Sequence, residues 1–342
     1  MKLLVEALCS DRCAGRAAGT PGGRVARGLV VEALREAGLD PTEQLVPGCG
    51  GANVLATLPG NTDRWVLVAA HYDHLGTQSG AVYRGADDNA AAVAILVEVA
   101  QSLAHARPAG RGVVFAAFDA EEPPHFSTPA MGSMHFVSEP TVPLDAIDLM
   151  VCMDLVGHAL GPEGVPAETR NTVFALGSEH SAATSARVAA RERAIEGLIV
   201  RRADADIIPP LSDYAGFWQR QVPFLFLTNG RSRLYHTPDD VPAHLDYSKM
   251  SATARWIEGL VRETCADPTR RFEFSARARD DASTLHTIIS LASSLAEVAP
   301  QAAIGRTLAD NLLAQCDKKG RLPQSRQSEV QALVGMLESA LA

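Results

Sequence analysis

Residues 112–122 read GVVFAAFDAEE. The first seven form a continuous apolar run of strand length, typical of a strand buried on both faces of a parallel sheet. The four polar-ended residues after it carry the information. Carboxylates that end an apolar strand are rarely structural, because burying them unpaired is costly. Glu121 and Glu122 are adjacent and point in opposite directions, so one can bind a metal ion while the other faces a bound water. Metal-assisted hydrolysis requires that division between ligand and general base.

The same pattern recurs on either side. The run WVLVAA at 65–70 leads into His71-Tyr72-Asp73, IDLMVCM at 147–153 leads into Asp154, and VPFLFL at 222–227 is followed shortly by Leu234-Tyr235-His236. Residues 52–58 and 172–177 read as further strands, with PGNTD at 59–63 as a turn. Helices are expected from Pro21, with Thr20 as N-cap and Gly38 as terminator, and over 89–104, 180–194, 212–220 and 248–265. Strands alternating with helices predict an α/β sandwich, with helices on both faces of a largely parallel sheet. Ligands in such folds bind at the carboxyl ends of the strands, where these polar residues fall.

Two motifs add to the strand ends. His71 and Asp73, two apart on an extended chain, project to one face, and a carboxylate there can accept from the second nitrogen of a metal-binding imidazole. Gly85-Ala86-Asp87-Asp88-Asn89 opens the helix at 89; two successive acids exceed what N-capping needs, so one can instead bridge cations.

Composition narrows the partners. A formal net charge of -9 argues against nucleic acid or an anionic membrane, and Arg270-Arg271 and Lys318-Lys319-Gly320-Arg321 are short basic patches without aromatic interleaving. No stretch approaches a membrane span, the first ten residues lack the apolar core of a secretory signal, and the six cysteines form no CxxC pair. Free thiols in a reducing cytoplasm are the expectation. After Asp267-Pro268 the texture changes: 281–297, 303–316 and 325–341 read as three helices without an intervening strand. The expected division is therefore 1–267 for a catalytic domain and 268–342 for a helical extension, which serves as appendage, lid or homo-oligomer interface.

Taken together, AAHYDHLG, RGADDNAAA, AFDAEE, MDLVG, LSDYAGFW and LYHTPDD, in this order and preceded by CAGRAAGTPGG, resemble the co-catalytic zinc aminopeptidases. These zinc exopeptidases are related to glutaminyl cyclases and glutamate carboxypeptidases. The resemblance covers residues 10–265 and implies a three-layer α/β/α domain around a mixed, mostly parallel sheet. It implies two zinc ions bridged by Asp88, one completed by His71 and Asp154, the other by Glu122 and His236. Glu121 would be the general base for a zinc-activated water, Asp73 would orient His71, and the Asp88–Asn89 peptide bond would be cis. The implied activity is removal of N-terminal residues from peptides, with Tyr214 or Tyr235 supporting the oxyanion.

One departure from the family pattern touches the substrate. Pro123 to Met131 separates Glu122 from Gly132-Ser133, a stiff, three-proline excursion expected to shape the pocket through Phe126 and Met131. Glutaminyl cyclases, which use one zinc, carry an insertion near this point but usually have Trp where Tyr235 stands. A carboxypeptidase would use cations such as Arg231 and Arg233. A non-catalytic binding protein of the same fold should have lost ligands, and all are present here.

Overall fold

A computed structural model describes residues 1–296 and 299–341. Ten strands form in chain order: β1 (Thr42–Val46), β2 (Gly51–Leu58), β3 (Trp65–His71), β4 (Thr77–Gln78), β5 (Ala81–Val82), β6 (Gly112–Phe118), β7 (Ile147–Met153), β8 (Thr172–Leu176), β9 (Ile199–Ala203) and β10 (Phe224–Thr228). Eight of them make one sheet in the order β1-β2-β6-β3-β7-β10-β8-β9, and β4 with β5 makes a small hairpin. β6, β3, β7 and β10 run parallel to one another; β2 and β8 lie antiparallel to their neighbours in that block. The sheet is thus mixed and mostly parallel, with the ends of β3, β6, β7 and β10 at a single edge.

Alternation along each strand sends side chains to two helical layers. Val66, Val68 and Ala70 of β3 and Val113, Phe115 and Ala117 of β6 enter one core with α1 (Lys2–Leu8), α2 (Pro21–Glu36), α3 (Ala91–His105) and, later in the chain, α8 (Tyr247–Cys265). Leu67, Ala69, Val114, Ala116 and Phe118 enter the opposite core with α4 (Gly132–Ser138) and α7 (Tyr214–Gln219). Helix α6 (Ala182–Ala190) adds Ala183 and Val188 to the first core, and α5 (Ala167–Arg170) is a single turn preceding β8. Strands β6, β7 and β10 are buried along their whole length, which is why each reads as a mainly apolar run; the one charge among them, Asp148 of β7, is paired with Arg64 and Arg111.

Local signals fix the helix ends. Thr20 Oγ1 accepts the Gly23 N–H at 3.0 Å as the N-cap of α2, and Gly38 follows its last turn at φ +86°. The helix expected at 89–104 begins slightly later: residues 86–90 form a wider turn with a cis Asp88–Asn89 peptide, and α3 starts at Ala91.

Several elements differ from the sequence expectation, which also lacked the β4–β5 hairpin and the short helices α4 and α5. Strand β1 has no apolar signature because it is a sheet edge whose residues, Val46 apart, face solvent or lie half-buried. Strand β9 is masked in sequence because Arg201 and Arg202 interrupt its apolar character; Arg201 is nonetheless buried, its Nε donating to Thr172 Oγ1 at 3.2 Å. Met1 to Leu8, a short apolar stretch in sequence, folds as α1 against the first core.

The tail forms α9 (Asp281–Leu295), α10 (Ala302–Leu313) and α11 (Gln327–Leu341), close to the three expected helices. Residue 297, the expected end of the first, lies outside the described residues. Asp280 caps α9, accepting the Ser283 N–H at 3.1 Å. The segment leading into it is tied to the sheet layers: Phe272 enters the first core, and Phe274 stacks on His180 with 5.0 Å between ring centroids. Thr287 of α9 then hydrogen-bonds the Arg202 carbonyl of β9 at 2.8 Å. No helix among the described residues is long and apolar enough to cross a membrane.

Candidate metal centre

The parallel strand ends carry their polar residues into one cleft. His71 ends β3, fully buried, with Nε2 standing 3.5 Å from Asp88 Oδ1 and 3.5 Å from Asp154 Oδ1. Glu122, beyond β6, places Oε2 3.2 Å from His236 Nε2, which lies 3.2 Å from Asp88 Oδ2. Asp88 therefore faces both histidines, one with each carboxylate oxygen. Glu121 points into the same cleft, its Oε2 3.8 Å from His71 Nε2. All five expected ligands and the expected base converge.

Asp73 has a broader task than its sequence position suggests. Its Oδ1 lies 3.6 Å from His71 Nδ1, longer than a hydrogen bond. Its two oxygens instead accept the backbone N–H groups of Glu121 at 3.0 Å and Glu122 at 3.1 Å. The carboxylate thereby clamps the turn that directs the two glutamates to different sides.

The loop bearing Asp88 is held from beneath by groups that sequence reasoning missed. Arg16, fully buried, donates to the carbonyls of Tyr72 at 2.7 Å and Asp88 at 3.0 Å, and also to those of Arg84 and Gly85. Gly85 sits at φ +55°, where an added Cβ would lie 2.1 Å from the Asp88 carbonyl and 2.5 Å from the His74 ring, so only glycine fits. Asp240 accepts the N–H groups of Asp87 at 2.9 Å and Asp88 at 3.1 Å. Asp87, the first acid of the pair, turns away to bind Gly157 N–H at 2.7 Å and His158 Nδ1 at 2.6 Å. Buried arginines carry no sequence signal, since the default arginine is solvated.

His74 was also missed. Its Nδ1 lies 2.8 Å from Glu122 Oε1, and with Asp88 and Glu122 it makes a second buried triad beside His71, Asp88 and Asp154. The signal is present as a second His in AAHYDHLG, three residues after the first. Asp213, from LSDYAGFW, is a further buried acid of this region, and neither oxygen has a hydrogen-bond partner among the described residues. Of the two tyrosines, only Tyr235 reaches the cavity, stacked on the His236 ring at 3.8 Å. Tyr214 is fully buried and its hydroxyl donates to the Pro209 carbonyl at 3.2 Å, so it is withdrawn as an oxyanion group. In the proline-rich excursion Phe126 lines the cavity, whereas Met131 is buried beneath the loop, its sulfur accepting the Ser127 N–H.

Electrostatics follow from packing acids together out of water. Burial pushes Glu121 well above its ordinary range; His71 opposes this and the charges on Asp154, Asp213 and Glu122 add to it. Burial also favours neutral Glu122, but contacts from His236 and His74 override it and bring its carboxyl down to about 2. Burial likewise opposes charge on His236, yet Asp88 and Glu122 lift it to about 10. With only protons available, the histidines act as the counter-cations. A metal ion reverses this logic, because ligating imidazoles must be neutral.

Residues and metal fit. His71 Nδ1 and Nε2, His74 Nε2 and Asp154 Oδ1 are buried with no hydrogen-bond partner among the described residues. Ligand atoms around a tetrahedral zinc with bonds of about 2.1 Å stand roughly 3.4 Å apart. The 3.5 Å separations of His71 from Asp88 and Asp154, and the 3.2 Å separations of His236 from Asp88 and Glu122, match that spacing.

Comparison with known proteins places this architecture in a family. The chain belongs to peptidase family M28, whose pattern matches residues 53–261, more than half of its length. It is 26% identical over 254 residues to the uncharacterized protein YfbL of Escherichia coli K12, covering 68% of this chain and 76% of that one. Among solved structures it resembles the LapA aminopeptidase of Legionella pneumophila, with a TM-score of 0.62 and 14% identity over 78% of this chain and 72% of LapA. It resembles equally the glutaminyl cyclase of Porphyromonas gingivalis, with a TM-score of 0.62 and 19% identity over 77% of this chain and 96% of the cyclase. These likenesses establish the fold.

Proposed function

We propose that the protein is a zinc-dependent aminopeptidase that releases single residues from peptide N-termini. The observation that carries this reading is the pair of ligand sets sharing Asp88, His71 with Asp154 and His236 with Glu122, with Glu121 left over beside them and facing the cavity. His71 and Asp154 would hold one zinc ion, and Glu122 and His236 the other. When bound, the ions would supply Lewis-acid polarisation of the scissile carbonyl and a water acidified towards a pKa of about 7.

The chain's own groups do the rest. Glu121 takes the proton of the attacking water and returns it to the leaving amine, a role that needs a carboxyl with raised proton affinity. Glu121 is buried and lines the cavity, which suits it to hold and release a proton there. Asp73, gripping the amides of both glutamates, keeps Glu121 aimed at the cavity while Glu122 stays with the histidines. The excess of carboxylates favours a cationic substrate N-terminus over a C-terminal carboxylate. Six free cysteines, five of them buried, support residence in a reducing compartment such as the cytoplasm.

The test is a panel of aminoacyl chromogenic anilides with purified, zinc-loaded protein. Chelator-sensitive release is expected. Zinc bound in stoichiometric amount without release from any anilide would defeat the aminopeptidase reading. Cyclisation of N-terminal glutamine peptides under the same conditions would replace it with the cyclase reading, which the likeness to the Porphyromonas cyclase motivates.

A further inference from the structure

A cavity of about 270 Å³ opens directly beside the acidic cluster. Asp88, Glu121, Glu122 and Asp154 line one end. Most of the remaining lining is apolar, with Leu176 and Phe226 from the sheet, Ile288 from α9, and Val334, Leu337 and Leu341 from α11; Thr228, Asn229 and Arg231 add polar groups at and beyond the end of β10. The wall opposite the sheet therefore belongs to helices at 281–341, wholly outside the 53–261 segment that matches the family. The polar groups of that wall are already occupied. Thr287 donates its hydroxyl to the Arg202 carbonyl, and Thr284 Oγ1 accepts the Asp204 N–H at 2.8 Å. Each hydroxyl has spent its single proton, Thr287 on Arg202 and Thr284 on the Asp280 carbonyl at 3.4 Å, so neither can donate to a substrate. Glu338, the charged group of α11 in this lining, is exposed and disfavours an acidic ligand.

Size and chemistry then point to a class of ligand. A cavity of about 150 Å³ lined by Leu, Ile and Phe suffices to bind benzene. This one is larger, and burying apolar surface in it contributes about 25 cal/mol per Å². We propose that α9 and α11 form the specificity wall of the active site, and that the pocket they close takes a bulky apolar side chain, aliphatic or aromatic, on the substrate's N-terminal residue. The proposal rests on the aminopeptidase reading for its substrate and on the cavity alone for its ligand chemistry. Leu337 is the determining residue: it stands half-buried in the wall, one turn of α11 before Leu341.

The experiment compares Leu337→Trp, Leu337→Ala and wild type on phenylalanyl and alanyl anilides. Leu337→Trp should lower the Phe/Ala ratio of kcat/KM at least tenfold, and Leu337→Ala should move it the other way for a still larger naphthylalanyl anilide. Met336→Trp is the control; Met336 is 54% exposed and outside the cavity lining, so the ratio should hold. Should Leu337→Trp fail to fold, Val334→Phe fills the same space from one turn earlier. A uniform change on both anilides, or an unmoved ratio in folded variants, overturns the proposal. Calorimetric binding of 4-phenylbutylamine to each zinc-loaded protein separates the two readings. Binding that weakens at least tenfold in Leu337→Trp supports the pocket even where no anilide is cleaved, which would fault the peptidase reading alone. Cleavage with amine binding unchanged by Leu337→Trp faults the pocket alone.

Discussion

The two walls of the cleft are built from opposite materials. On the side of the parallel strand ends, His71, Asp88, Glu121, Glu122 and Asp154 are buried with their charges crowded, and several of their polar atoms have no partner among the described residues. On the side of α9 and α11 the residues are mostly apolar, Glu338 being the exposed exception, and the helices pack through small clusters such as Leu285, Ile288, Leu312 and Leu333. A buried charge without a partner destabilises, whereas a packed leucine stabilises. The first wall holds groups that stability would discard, and the second holds groups that stability would choose. The difference predicts that substitutions on the first wall change chemistry more than stability, and that those on the second change selectivity through packing.

Glu121→Gln offers the sharpest way to break that contrast. It is isosteric and removes one member of a repelling group. The turnover number should fall about 10²- to 10⁴-fold, the usual contribution of a positioned acid–base group. Thermal stability should stay level or rise, and zinc content by elemental analysis should be unchanged. A variant that lost stability along with activity would put Glu121 in the scaffold instead.

Metal removal comes next. Without dications the cluster keeps several carboxylates within a few ångströms, so chelation should lower stability as well as abolish anilide cleavage. Zinc present a thousandfold above its dissociation constant stabilises by about 4 kcal/mol, and that amount should vanish in chelator. Urea melts with and without chelator measure it. Identical melts would mean the unpaired imidazole nitrogens of His71 are not metal ligands.

How much of this was visible in the sequence depends on the same contrast. The first wall was legible because each buried strand reads as an apolar run and ends abruptly in an acid or histidine, as at Phe118–Asp119 and Met153–Asp154. Within it, His74 was hidden in the shadow of His71, and Arg16 resembled any surface arginine. The second wall was legible only as helices. Their partner, β9, carries two arginines at the edge of the sheet, so nothing along the chain announces that α9 docks there. A cavity between segments so distant in sequence is a property of tertiary packing, and periodicity within either segment does not encode it. Cis geometry at Asp88–Asn89, by contrast, came from the family resemblance and is present.

Arg16→Lys tests whether the polar wall depends on its hidden support. The guanidinium fork reaches four carbonyls that converge on the loop of Asp88. An ammonium offers a single donor centre and cannot span them. The loss should be about 3 kcal/mol of stability, since hydrogen bonds to charged groups contribute roughly 1.5–3 kcal/mol each and lysine recovers part. Zinc affinity, measured by competition with a chromogenic chelator, should weaken together with it, whereas the Phe/Ala selectivity set by the other wall should not move.

A last effect lies behind the second wall and concerns pH. Glu179 is buried next to β9 and accepts the Ala205 N–H at 2.9 Å. Burial, reinforced by the charge on Asp204, lifts its carboxyl from 4.5 to about 8. The folded protein thus holds a proton that the unfolded chain releases above about 4.5. Stability from this group is fully present below that value and is lost as pH rises towards 8, with a slope of at most one proton, about 1.4 kcal/mol per pH unit. Glu179→Gln keeps the acceptor for Ala205 and removes the titration. The variant should therefore gain on wild type steadily between pH 5 and pH 8 in paired urea melts, with zinc content and kcat unaltered. A difference that stays flat across this window would mean that Glu179 is ionised in the folded state, and that even the apolar side of the cleft carries an uncompensated charge.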